Sequence, residues 1–69
     1  MELSARNVLK GKVKEIKKGQ VMAEVVIEIA GGNQIVSVIT VSSAERLGLA
    51  VGKEVNAVAK ATSVMVNVD

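Results

Sequence analysis

The chain has 69 residues, enough for one domain and too few for two. Its 49% hydrophobic and 23% charged content excludes a disordered chain, which would be poor in apolar residues. Cys, His and Pro are all absent, which removes disulfides, thiolate nucleophiles, Cys/His zinc sites and the usual neutral-pH general base. A small binding module is expected, not an enzyme.

Fourteen valines and five isoleucines, with no Phe, Tyr or Trp, bias the chain towards strands. In the first strand Leu9, Gly11 and Val13 are in phase; Glu15 then breaks the pattern and Ile16 falls on the opposite parity. A one-residue shift of this kind predicts a β-bulge or a sharp bend near Glu15. Lys18-Gly19 marks the first turn. In residues 21–29 every odd position is apolar, while Glu24 and Glu28 share the other face with Met22 and Val26. Gly31-Gly32-Asn33 suits a tight hairpin, because such turns need positive φ. Residues 35–41 are apolar on both faces, with Ser37 and Thr40 the only polar members.

One helix of about two turns is expected next. Ser42-Ser43-Ala44-Glu45 has the Ser-x-x-Glu spacing of a capping box, with Ser42 at the cap. Ala44 and Leu47 would form its inner face, and Gly48 is a natural left-handed stop. Two more alternating runs follow, Val55-Ala57-Ala59 and Val64-Val66-Val68. The order predicts an all-β fold, a five-stranded OB-type barrel with one short helix between strands three and four, as a single domain over residues 1–69. An SH3-like barrel is the structural competitor.

A chain this short buries only ~60% of its unfolded surface and commonly needs a staple. With no disulfide, soft-metal site or aromatic to supply one, self-association is the remaining route, and the outer apolar face of strand three is its natural surface. The first residues, Met1-Glu2-Leu3-Ser4, have neither a basic n-region nor an apolar h-region, so a cytoplasmic location is expected. No apolar run approaches the ~20 residues of a membrane span.

The net charge is only +2, yet six of the nine cations (Arg6, Lys10, Lys12, Lys14, Lys17, Lys18) lie in the first 18 positions. They read either as a solvated strand face that discourages sheet-to-sheet aggregation or as a surface that attracts anions. An OB-type module that binds nucleic acid through this basic strand is the alternative function. It lacks the aromatic side chains on which bases stack. The six Glu and one Asp are scattered, without a hard-metal ligand run.

What remains is donor chemistry. Ser4 and Arg6 lie two residues apart, on one face if extended. Thr40 ends strand three, Ser43 lies at the start of the helix, and Lys60 ends strand four. None of these segments carries a carboxylate. Donors without acceptors suit a fully deprotonated oxyanion, whose oxygens only accept hydrogen bonds. Taken singly, each segment reads equally as a polar tail or a solvated strand end.

Taken as an ordered set, they resemble the molbindin (Mop) family. The pieces that carry the likeness are Ser4-Ala5-Arg6-Asn7, Leu9-Lys10-Gly11-Lys12-Val13, Val21-Met22-Ala23-Glu24-Val25-Val26 and Ile29-Ala30-Gly31-Gly32-Asn33. They continue with Ile39-Thr40-Val41-Ser42-Ser43, Leu47-Gly48-Leu49 and Val58-Ala59-Lys60-Ala61-Thr62-Ser63-Val64-Met65. The resemblance implies an OB-type protein that binds molybdate, with tungstate as substitute, and assembles as a homohexamer, a trimer of dimers. It implies the stand-alone member, which stores or buffers molybdenum, since the chain has no DNA-binding or ATPase segment. By position, Ser4, Arg6 and Lys60 would contact the oxyanion from one subunit, and Thr40 and Ser43 from a neighbour. Ala61 stands where relatives often carry Ser; its backbone N–H still donates, but it has no hydroxyl.

Overall fold

The computed structural model of the chain describes residues 6–69. Four antiparallel strands form one sheet: β1 (Asn7–Lys18), β2 (Met22–Ile29), β3 (Gln34–Thr40) and β4 (Glu54–Ala59), in the order β3-β2-β1-β4. Strand β1 is the hinge of this sheet. Its first half pairs with β4, from Asn7↔Ala59 to Lys12↔Glu54, and its second with β2, from Gly11↔Ile29 to Lys18↔Ala23. At the overlap Gly11 pairs with both Ile29 and Val55. A Cβ there would lie 2.5 Å from the Glu28 carbonyl oxygen and 2.8 Å from Ile27 Cγ2. Only glycine lets the strands approach this closely.

The expected bulge is present. The β1–β2 register shifts between Val13 and Glu15, so that Val13 faces Ile27 while Ile16 faces Val25. The extra residue switches parity, which turns Ile16 inward instead of out to solvent. The core is built on this switch: Val13, Val25 and Ile27 are buried, with Ile16, Ile29, Ile39, Leu49, Val55 and Ala57 packed against them. The outer face of β3 carries Val36 and Val38, 56% and 61% exposed, so the strand presents apolar groups on both sides as its composition requires.

Between β2 and β3 the chain makes a 3-10 turn over Ala30–Gly32, closed where Ile29 N–H donates to the Asn33 carbonyl at 2.8 Å. Gly31 and Gly32 both have positive φ, 82° and 80°, so the conformational requirement read from the sequence holds in a somewhat longer connection.

Two details of the helix α1 (Val41–Arg46) differ from expectation. Its N-cap is Thr40, not Ser42: the Thr40 hydroxyl oxygen accepts from Ser43 N–H, and the helix begins at Val41. Threonine is at home at the end of a strand and also caps well, so strand and helix abut without a linker. Ala44 is buried as expected, whereas Leu47, beyond the last turn, is 55% exposed. Lys53 closes the helix end, its Nζ donating to the carbonyls of Leu47 and Gly48 at 2.7 and 3.2 Å. Gly48 has φ 65°, the left-handed stop the sequence calls for.

Among the described residues the strand count is four, not five. After β4 the chain enters a 3-10 turn, Ala61–Ser63, and residues 64–69 form no strand. Alternation alone makes a segment fit for pairing, but a strand exists only where a neighbour supplies the hydrogen bonds. The result is a curled sheet, a half-barrel of the OB type, whose two edges are β3 and β4.

Candidate functional site

The sheet register divides the candidate donors into two groups. The rung Asn7↔Ala59 joins the start of β1 to the end of β4, so Arg6 and Lys60 emerge side by side just beyond it. Both are exposed. Among the described residues, the ion pairs involve neither of them. Lys60 is the N-cap of the Ala61–Ser63 turn, which is closed by Ser63 N–H donating to the Lys60 carbonyl at 2.9 Å. The turn begins at Ala61, whose backbone N–H has no acceptor within such a turn and is directed outward at its N-terminal end. Ser4 lies outside the described residues.

Thr40 and Ser43 lie at the other end. Thr40 pairs with Met22, at the start of β2, beside the end of β1 where Lys18 pairs with Ala23. Most of the length of β1 therefore separates the two groups. The strand pairings thus place the two groups towards opposite ends of β1.

The second group is a hydrogen-bonded cluster of hydroxyls. Thr40 Oγ1 donates to Ser43 Oγ at 2.8 Å and accepts from Ser43 N–H at 3.1 Å. Arg46 Nη2 donates to the same Ser43 Oγ at 3.4 Å. Ser43 Oγ thus accepts from both neighbours, which leaves its own proton to donate outward. Arg46 is the member that reading by motif missed; its position three residues after Ser43 on a helix was the available signal.

The basic strand behaves as a solvated face. Lys14 lies 3.7 Å from Glu28 and Lys17 3.6 Å from Glu15, in exposed pairs. A groove of about 450 Å³ runs along Lys10–Lys12 and Glu54–Asn56 and contains none of the candidate donors. No helix among the described residues is long and apolar enough to cross a membrane.

Comparison with known proteins gives this half-barrel a family. The TOBE domain model matches residues 3–66. Molybdenum-pterin-binding protein 2 of Clostridium pasteurianum is 59% identical over 66 residues, 96% of this chain and 97% of that protein. A molybdate-binding protein from Sporomusa ovata superposes with a TM-score of 0.91 at 43% identity, covering 97% of this chain and 98% of the other. The cytoplasmic molybdate-binding protein ModG, solved with molybdate bound, superposes at 0.86 with 46% identity, covering 88% of this chain and 43% of the other. The chain belongs to the TOBE-domain family and, within it, to the molbindin (Mop) type.

Proposed function

We propose that this chain binds molybdate, with tungstate as substitute, and serves as a cytoplasmic store or buffer of molybdenum. The observation that carries the proposal is the pair of carboxylate-free donor groups at opposite ends of one sheet. In this reading Ser4, Arg6, Lys60 and the Ala61 N–H form one half of a site. Thr40 and Ser43 of a neighbouring copy form the other, and the assembly is a homohexamer arranged as a trimer of dimers. The names of the relatives support the ligand, and the separation of the donors supports a site shared between copies.

Binding follows from charge and proton count, without a catalytic step. A tetrahedral dianion with no proton presents only acceptors, which donors alone can satisfy. Phosphate near neutral pH keeps a proton, and no carboxylate stands in the set to receive it. The test is calorimetric titration of the purified protein with molybdate, tungstate and phosphate, alongside elemental analysis and mass in solution. Molybdate should bind at least about tenfold more tightly than phosphate, a difference of ~1.4 kcal/mol. Equal affinities would end the donor-only reading. The nucleic-acid reading gains nothing from the structure, since two strand-one lysines already face carboxylates and no aromatic is available for stacking.

A further inference from the structure

The hydroxyls at the start of α1 are ordered in a definite sense. A serine oxygen has two lone pairs and one proton, so three neighbours can surround it. Thr40 Oγ1 donates to Ser43 Oγ at 2.8 Å, which fills one lone pair and spends the Thr40 proton. The 3.4 Å contact between Thr40 Oγ1 and Ser42 Oγ must then be donated by Ser42. Ser42 and Thr40 thus both turn their protons into the cluster. Arg46 Nη2 donates to Ser43 Oγ at 3.4 Å and meets the second lone pair. A guanidinium has only donors, so the Ser43 proton has no acceptor on that side.

We propose that Arg46 is a positioning residue of the anion site: by donating to Ser43 Oγ it directs the Ser43 proton outward to the bound oxyanion. This inference rests on the reading in which Ser43 contacts molybdate. The local sequence leaves Arg46 available for the task. Its helical neighbours three and four residues back are Ser43 and Ser42, and neither is an acid. The ion pairs among the described residues do not include Arg46. Thr40 caps α1 and Arg46 is its last residue, so cap, hydroxyl and cation belong to one short element. Without Arg46 the second lone pair of Ser43 is free, and the hydroxyl can rotate to present it to the ligand. An outward lone pair repels an anion whose oxygens only accept hydrogen bonds. At 3.4 Å the bond is long, so its contribution is direction and not a strong contact. In this role Arg46 needs no contact with the ion itself.

The test is a double-mutant cycle on the whole protein, read by calorimetric titration with molybdate. Arg46→Leu should weaken binding about fivefold, within the range of a single hydrogen bond. Arg46→Lys, which keeps a donor, should recover most of that loss. In a Ser43→Ala background, Arg46→Leu should change affinity less than about twofold, because no hydroxyl is left to direct. Arg46 is exposed, so the melting temperatures of its variants should stay within about two degrees of the parent. Equal losses in both backgrounds would show that Arg46 acts through its charge alone, and would overturn the proposal. An unchanged affinity in Arg46→Leu would overturn it too. Ser43→Ala with full affinity would take Ser43 out of the site, and this role of Arg46 with it. Undetectable molybdate binding by the unsubstituted protein would instead defeat the molybdate reading itself, and the proposal as its dependant.

Discussion

The Ser43 hydroxyl receives hydrogen bonds from Thr40 and from Arg46, and this gives the two hydroxyl residues different jobs. Thr40 spends its proton inside the cluster and its oxygen on the helix cap, whereas the Ser43 proton is left for a ligand. Ser43→Ala should therefore weaken molybdate binding while leaving the melting temperature within a degree or two. Thr40→Val should lower both, because loss of an N-cap costs about 1 kcal/mol. Titration and thermal melting on the same samples separate the two effects. At the opposite end, Lys60→Ala or Arg6→Ala removes a charge-assisted hydrogen bond, worth ~1.5–3 kcal/mol, and should cost tenfold or more in affinity. Lys14→Ala and Lys17→Ala remove the same formal charge from exposed pairs, where salt screening leaves little, and should change affinity less than about threefold. Similar losses from all four variants would move the site onto the face of β1.

At the scale of the element, the decisive device is the crossing of β1 between its two partners. Gly11 permits the approach and the bulge at Glu15 restores the inward phase. Gly11→Ala forces a Cβ into the Glu28 carbonyl, and the strands must part to admit it. Overpacking of this kind costs ~1–3 kcal/mol, so a clear drop in melting temperature is expected; an unchanged melt would mean that the crossing yields easily. The bulge was legible in advance because a parity break in a hydrophobic run has few other causes. The helix was legible, but its cap was not, since Thr40 and Ser42 both offer an oxygen before the same turn and only the backbone decides between them. The donors were legible as residue types. Their division between two ends of the sheet follows from strand pairing, which no local pattern encodes. The alternation of residues 64–68 was legible too, but it forms no strand, because alternation does not supply a pairing partner.

For the whole molecule, the proposed shared site would tie folding to association. Among the described residues, three aliphatic side chains, Val13, Val25 and Ile27, form the buried core cluster, a small core for an unstapled chain. Stability should rise with protein concentration, and a melting temperature independent of concentration over a hundredfold range would argue for a self-sufficient monomer. Molybdate should raise the melting temperature further, since a ligand at a hundred times its dissociation constant contributes ~2.7 kcal/mol per site. The rise should shrink in Thr40→Val, which loses the hydrogen bonds that hold Ser43 in place.

The placement of Arg6 and Lys60 at one end of β1, and of Thr40 and Ser43 at the other, also makes genetic complementation possible. In the proposed shared site every chain would lend each half once, so that no chain would hold an ion there alone. Homogeneous assemblies of Lys60→Ala, or of Thr40→Val, contain only damaged junctions. When the two variants are unfolded, mixed in equal amounts and refolded together, about one junction in four draws its lysine half and its threonine half from unmutated ends. A fraction of tight sites should then reappear in a mixture of two weak binders, and titration would count them directly.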